Sequence, residues 1–246
     1  MYYGPKGFEE TKLCSLTNAS MSTDLYVIGD VHGCLAPLKR LLEHLEPDLY
    51  QDRLLFVGDY IDRGPDSKGV VDYILGLKAR YPAENIICLK GNHEVMFLDF
   101  LAGRDRQLFL FNGGLVTLQN YWGKDWDQRS DLVLPPDHAH FYQELRPFYE
   151  TEDFIFVHGG IRPGVPWEKQ VEEDFYWIRG EFIASTEDFG RRVIFGHTPF
   201  KQPLILPNKI GIDTGLVYGN FLTCLKLPQM DFYFVGHGLE HQFGPA

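Results

Sequence analysis

Short apolar runs rich in Val, Ile and Phe recur along most of the chain. Five of them span residues 25–28, 54–57, 85–89, 154–157 and 193–195. Continuous apolar runs of this length are typical of strands that are buried on both faces of a sheet. The pattern therefore predicts buried strands at these five places.

Two helical patterns lie between the first three runs. Their apolar positions recur every three or four residues, which places them on one helix face. The first set is Leu35, Leu38, Leu41, Leu42 and Leu45, and the second is Val70, Val71, Ile74, Leu75 and Leu77. Strands that alternate with helices predict an α/β core.

The pattern changes after residue 195. Apolar runs at 209–212, 222–227 and 232–235 are separated by Gly, Pro and Asn turn signals, with no helical spacer between them. We expect this largely β tail to complete a second sheet.

Two further segments interrupt the strand rhythm. Residues 104–150 carry helix-like patterns, one of them predicted to begin after Pro135 and Pro136 with Asp137 as N-cap. We interpret this segment as a helical insertion over the site. Residues 1–23 show no periodicity and are predicted to be a dispensable extension, which leaves residues 24–246 as a single folded domain.

Composition narrows the class of protein. The chain has 246 residues, of which 44% are hydrophobic and 23% charged, as expected for one globular domain. Its formal net charge is −11, whereas a nucleic-acid binder is expected to carry a basic surface. No apolar run approaches the ~18 residues that span a bilayer, and no signal peptide is recognisable. We expect a cytoplasmic protein that binds neither nucleic acid nor membrane.

Each apolar strand ends in a cluster of polar residues. The clusters are Gly29-Asp30-Val31-His32-Gly33, Gly58-Asp59-Tyr60-Ile61-Asp62-Arg63-Gly64, Gly91-Asn92-His93-Glu94, His158-Gly159-Gly160 and Gly196-His197-Thr198. Ligands gather at the carboxyl ends of strands in α/β sheets, so these loops are expected to converge on one crevice. Carboxylate, imidazole and amide donors without thiolates suit Mn²⁺, Fe or Zn²⁺ better than Ca²⁺.

The order of these motifs resembles the phosphoprotein phosphatase branch of the calcineurin-like metallophosphoesterases. The similarity extends from about Asp24 to about Leu227. Further segments are similar to the bacterial members, relatives of bacteriophage lambda phosphatase, and they lie at 113–115, 149–153, 161–164, 177–179 and 211–215. The resemblance implies two mixed β-sheets packed face to face, with helices outside and the site at one end.

The resemblance also implies a centre of two divalent transition-metal ions, with Mn²⁺ expected first and Fe or Zn as alternatives. Asp30 and His32 would hold the first ion and Asp59 would bridge. Asn92, His158 and His197 would hold the second ion. A metal-bound hydroxide would then attack phosphorus directly, without a covalent enzyme intermediate.

Four further residues match the family's catalytic positions. Arg63 and Arg179 would bind the phosphate oxygens, together with Asn92. His93 would be the general acid, with Asp62 keeping it charged and oriented. Glu94 would not bind a metal ion itself but would hold the ligand residues in position.

Three functions fit these residues. The first is a Ser/Thr phosphoprotein phosphatase that acts on a phosphoprotein or a small phosphomonoester. The second is a symmetrical diadenosine tetraphosphate hydrolase, although that family typically lacks the acid at Asp62 and has Asp in place of Glu94. The third is a non-catalytic scaffold, which would be expected to have lost ligands, whereas every expected position is filled here.

Overall fold

The computed structural model describes residues 23–238 and 240–243, and its strands form two mixed sheets. The first sheet has the order β11-β10-β9-β1-β2-β3. Its strands are β1 (Leu25–Ile28), β2 (Arg53–Phe56), β3 (Ile86–Cys88), β9 (Leu222–Leu227), β10 (Asp231–Val235) and β11 (Glu240–Phe243). β1, β2 and β3 are parallel, and β9, β10 and β11 run antiparallel to their neighbours.

The second sheet has the order β4-β5-β6-β8-β7. Its strands are β4 (Phe148–Glu150), β5 (Phe154–Val157), β6 (Arg192–Phe195), β7 (Leu204–Ile205) and β8 (Lys209–Gly211). β5, β6 and β8 are parallel, and β4 and β7 pair antiparallel at the two edges.

Helices cover the outer faces. They are α1 (Leu35–Leu45), α2 (Ser67–Arg80), α3 (Asn92–Leu101), α4 (Arg106–Phe109), α5 (Leu115–Trp122), α6 (Pro136–Glu144), α7 (Glu172–Trp177) and α8 (Gly180–Ala184). Within the described residues, no helix has both the length and the apolar character needed to cross a membrane.

Three apolar clusters hold these layers together. The central one joins the inner faces of both sheets and includes Val27, Leu55, Phe156 and Ile194. A second cluster packs the first sheet against α1, α2, α3 and α6, and a third packs the second sheet against α7 and α8. The expected sandwich of two mixed sheets flanked by helices is confirmed.

The prediction that the β tail completes the second sheet is wrong for most of its strands. β9 does not extend the second sheet but pairs antiparallel with β1, placing Leu25 opposite Leu227, and β10 follows it. Only β8, within the predicted run 209–212, joins the second sheet. An apolar run indicates a strand but carries no information about the strand with which it pairs, so the sheet to which β9 and β10 belong could not be predicted.

The predicted helical insertion, 104–150, contains α4, α5 and α6, with a kink at Gly113 (φ 98°) between α4 and α5. Its last residues form β4 instead of helix. Asp137 is not the N-cap of α6, because the helix begins one residue earlier at Pro136, a position that suits the fixed φ of proline. The proposed extension, residues 1–23, lies outside the described residues apart from Thr23.

Candidate metal centre

The ten residues singled out by the sequence all lie at one end of the sandwich. They are Asp30, His32, Asp59, Asp62, Arg63, Asn92, His93, His158, Arg179 and His197. Eight are buried, whereas Arg63 is half-buried and Arg179 is exposed. Most of them follow the carboxyl ends of β1, β2, β3, β5 or β6. Two contacts join these strand ends: His158 Nδ1 contacts the Val57 carbonyl, and the Gly196 amide donates to the His158 carbonyl.

Asp59 lies at the centre of this group. Its Oδ2 is 3.5 Å from His32 Nε2 and 3.9 Å from His93 Nε2. Its Oδ1 is 3.3 Å from His158 Nε2. Two sets of potential ligand atoms, each within 4.8 Å of one another, share this carboxylate: Asp59 with His32 and His93, and Asp59 with His158 and His197. One carboxylate common to two donor sets is the arrangement of a candidate binuclear metal centre.

The surroundings of His158 fit a cation. Its Nδ1 lies 3.0 Å from the Val57 carbonyl oxygen, which can only accept, so this nitrogen carries a proton. Its Nε2 faces two more oxygens, Asn92 Oδ1 at 3.0 Å and Asp59 Oδ1 at 3.3 Å. A nitrogen lone pair would be repelled by both, so this arrangement requires a proton or a metal ion. Burial lowers the pKa of His158, but the Asp59 charge outweighs it and the net shift is upward.

Asp30 is the residue whose position differs most from the expected ligand set. Both of its carboxylate oxygens accept from the His197 amide, at 3.0 and 3.3 Å, and His93 takes its place in the set around His32. Burial raises the pKa of Asp30 well above its usual value, as do the charges of Asp213 and Asp59. Buried carboxylates this close together are stable as anions only beside cations, so the donor set fits divalent ions.

Burial keeps two of the imidazoles neutral, the form that binds metals. It lowers the pKa of His32 to about 3 and that of His197 to about 2. His32 Nδ1 lies 2.8 Å from the Ile61 carbonyl oxygen, which leaves the Nε2 lone pair directed at the cluster.

Two arginines reach these imidazoles. Arg63 Nη1 lies 2.7 Å from His32 Nε2, and Arg179 Nε donates to His197 Nε2 at 2.7 Å. Guanidinium groups remain charged at all physiological pH values and match phosphate oxygens in geometry. On a chain of net charge −11, they provide local attraction for a phosphate.

His93 and Asp62 form a buried pair. His93 Nδ1 lies 2.6 Å from Asp62 Oδ2, so the ring is oriented with Nε2 towards Asp59. Burial lowers the pKa of His93 to about 4 and raises that of Asp62 well above its usual value. The contact thus orients the ring as expected, but burial opposes the separate charges that the sequence interpretation assigned to the pair.

Glu94 holds the backbone around the centre. Its carboxylate accepts three amide hydrogen bonds of 2.9 Å each, from Asp59, Tyr60 and Gly91. The loop after β2 and the start of α3 are therefore fixed by one side chain. Burial, with the Asp59 charge, raises the pKa of Glu94 to about 8.

Backbone strain concentrates at the site. Eight non-glycine residues among those described have positive φ, and five of them are site residues: His32, Asp59, Asp62, Arg63 and His197. Such conformations cost about 1–3 kcal/mol each and persist where the surrounding structure enforces them. Gly58, at φ 113°, allows the loop after β2 to lie close to the backbone at Gly91, since a Cβ on Gly58 would lie 2.7 Å from the Gly91 nitrogen.

Sequence reasoning missed two buried residues. Thr117, on α5, donates to Asp62 Oδ1 and accepts from the Asp62 amide at 3.0 Å, so the insertion holds the Asp62 loop. No sequence signal links these residues, which lie 55 positions apart. Asp213 lies near Asp30 and Asp59, and burial raises its pKa to about 6. It belongs to the segment 211–215, whose similarity to bacterial phosphatases was the available signal.

Comparisons with known proteins identify the family. The family model of calcineurin-like phosphoesterases matches residues 24–240. Serine/threonine-protein phosphatase 1 of Salmonella typhimurium is 31% identical over 82% of this chain and 91% of its own. The asymmetrical bis(5'-nucleosyl)-tetraphosphatase PrpE of Anoxybacillus flavithermus is 29% identical over 83% of this chain and 91% of its own. The expected likeness to the lambda phosphatase branch is not resolved by these relatives.

Solved structures share the fold. A cold-active protein tyrosine phosphatase superposes with a TM-score of 0.64 at 17% identity, covering 91% of this chain and 79% of its own. A candidate diadenosine tetraphosphatase gives a TM-score of 0.69 at 21% identity, covering 89% and 96%. The family match covers nearly the whole described chain and includes every residue of the candidate centre. The chain therefore belongs to the calcineurin-like metallophosphoesterase family.

Proposed function

We propose that this protein is a metal-dependent phosphomonoesterase of the Ser/Thr phosphoprotein phosphatase type, similar to the bacterial branch that includes bacteriophage lambda phosphatase. One observation carries the proposal. Buried Asp59 joins two sets of ligand atoms, and arginines reach an imidazole in each set.

Two divalent transition-metal ions, with Mn²⁺ favoured by the donor types, would be held by this cluster. Asp30, His32 and Asp59 would hold one ion, and Asn92, His158 and His197, with Asp59 shared, the other. Such a pair, when bound, supplies Lewis acidity for an in-line displacement at phosphorus.

The chain's own residues bind and orient the phosphate. Arg63 and Arg179 neutralise charge that develops on the phosphoryl oxygens, and the Asn92 amide gives a further polar contact. Both guanidinium groups already lie at hydrogen-bond distance from the imidazoles of the cluster.

His93 supplies the proton that the leaving group needs. Its Nε2 faces Asp59 from a site that is 1% exposed, and Nδ1 lies 2.6 Å from Asp62 Oδ2, close enough for one proton to lie between them. Nε2 donates its proton to the departing oxygen as the P–O bond breaks, and the proton between Asp62 and Nδ1 moves onto Nδ1, so that the ring stays neutral and Asp62 becomes the anion. Thr117 and Ser67 hold the Asp62 loop in place.

Ser/Thr monoesters are the favoured substrates because a serine alkoxide leaves poorly and benefits most from this acid. The Salmonella relative bears the name of a Ser/Thr phosphatase. Hydrolysis of dinucleoside tetraphosphates is a second candidate, supported by the names of the PrpE relatives, which are asymmetrical hydrolases rather than the symmetrical type weighed from the sequence.

A substrate panel tests the proposal. Phosphoserine peptides, p-nitrophenyl phosphate and diadenosine tetraphosphate would be compared by kcat/KM at a fixed Mn²⁺ concentration. We expect the phosphopeptide to exceed the dinucleotide. A higher kcat/KM for diadenosine tetraphosphate would reverse the ranking, and no hydrolysis of any substrate would favour the scaffold.

A further inference from the structure

Large apolar side chains are exposed on two segments that contact Arg63, the helical insertion and the turn after Gly215. Phe111 is 92% exposed and Tyr218 64%, and Leu108 and Leu115 are 44% and 45% exposed. Exposed apolar surface that is grouped rather than scattered marks an interaction site. We call these four residues the apolar rim.

One side of the rim is built on the insertion. The Arg63 amide donates to the Gly113 carbonyl at 3.2 Å, and a Cβ at Gly113 would lie 2.8 Å from Arg63 Cγ. Phe111 precedes Gly113 by two residues, so their Cα atoms are at most ~7.6 Å apart. Phe111 lies just before the kink at Gly113, whose φ of 98° interrupts the helical backbone between α4 and α5.

The other side of the rim is a rigid turn. The Tyr218 ring centroid lies 5.5 Å from the Arg63 guanidinium carbon. The turn is anchored by Leu216, which is 1% exposed, and is enclosed by Gly215 and Gly219, both at positive φ. The fixed backbone of this turn keeps the Tyr218 side chain exposed to solvent. Arg63 contacts both Tyr218 and the segment that contains Phe111.

We propose that the apolar rim binds the polypeptide segment around the phosphorylated residue, and that it selects substrates with large apolar side chains next to the phosphoserine or phosphothreonine. This inference rests on the proposed function and names its substrate class. The rim is continuous with the phosphate site, because Arg63 contacts Tyr218 and also Gly113, which lies two residues from Phe111.

Reach supports a peptide occupant. An extended chain advances ~3.3 Å per residue, so residues one to three positions from a phosphate held at Arg63 lie ~3–10 Å away, a span that includes the Tyr218 ring at 5.5 Å and the segment beside Gly113. Aromatic residues in such positions commonly dominate binding. The net charge of the chain, −11, would attract basic peptides at long range, but salt screens this attraction. Net charge therefore contributes little to the choice between peptides.

Two matched phosphoserine peptides test the proposal, one with Leu on both sides of the phosphoserine and one with Ala. The full-length protein would be compared with Phe111→Ser and with Tyr50→Ser. Tyr50 is 60% exposed, but it precedes β2, at the opposite end of the strand from Asp59. Peptide binding by fluorescence anisotropy and hydrolysis by kcat/KM would both be measured.

We expect the Leu peptide to be preferred by about tenfold in kcat/KM, equivalent to about 1.4 kcal/mol. Phe111→Ser should remove this preference, and Tyr50→Ser should keep it. Hydrolysis of p-nitrophenyl phosphate should be unchanged in both variants, because it has no flanking chain to contact the rim.

Three results would overturn the inference while leaving the proposed function intact. Equal loss for both peptides in Phe111→Ser would exclude a flanking contact. A loss confined to diadenosine tetraphosphate would assign the rim to a nucleobase, and a change of molar mass by light scattering would assign it to a second copy. Absence of hydrolysis in the wild type would contradict the proposed function instead, and the anisotropy preference would then still decide the inference.

Discussion

Replacement of His93 by Asn tests the proposed general acid. The variant removes Nε2, which lies 3.9 Å from Asp59 Oδ2, but keeps the backbone amide that donates to Asp59 Oδ1 at 3.1 Å. The centre should therefore keep its backbone support. The variant loses the proton donor, the contact with Asp62 and the imidazole that faces His32 and Asp59.

The size of the effect depends on the leaving group. General acid catalysis contributes ~10²–10⁴-fold, which corresponds to about 2.7–5.5 kcal/mol of barrier. A phosphoserine alkoxide should lose this whole contribution, whereas p-nitrophenolate disperses its own charge and should lose little. We expect kcat for a phosphoserine peptide to fall at least ~10²-fold more than kcat for p-nitrophenyl phosphate.

Steady-state kinetics at saturating Mn²⁺, with circular dichroism to verify folding, measure this difference. Asp62→Asn should show the same bias more weakly, because it removes the partner that orients the ring. A uniform loss for both substrates would place His93 in phosphate binding or metal support, and the acid would have to be sought elsewhere.

Three other outcomes are expected. Asp59→Asn should lower kcat more than Glu94→Gln, because Asp59 belongs to both ligand sets, and equal losses would show that it does not bridge. Thr117→Val should reproduce a mild form of the Asp62→Asn leaving-group bias, since it frees the Asp62 loop; an unchanged substrate ratio would limit Thr117 to packing. A chain that starts at Met21 should unfold at the same temperature and keep the same kcat, and a loss of either would show that the first twenty residues are integral.

Local patterns predicted much of this molecule. Continuous apolar runs identified β1, β2, β5 and β6 because these strands are buried on both faces, with Tyr26 and Val27 on β1 entering different clusters. The polar clusters converged as expected, because parallel strands place their carboxyl ends at one edge.

The remaining features depend on contacts that are distant in sequence. The pairing of Leu25 with Leu227 and the hydrogen bond from Thr117 to Asp62 leave no periodic trace. The positive φ of Asp59 also follows from tertiary constraint, since nothing in its neighbours demands it. Burial, likewise, sets the pKa of His93 and could not be read from its motif.

Metal content and activity measured together test the central claim. The full-length protein would be stripped with a chelator, dialysed and titrated with Mn²⁺, with bound metal quantified by mass spectrometry and hydrolysis of p-nitrophenyl phosphate followed in parallel. The two-metal proposal predicts that activity disappears on stripping and returns as two ions bind per chain, and that Asp59→Asn binds fewer. Full activity in the metal-free protein would contradict it.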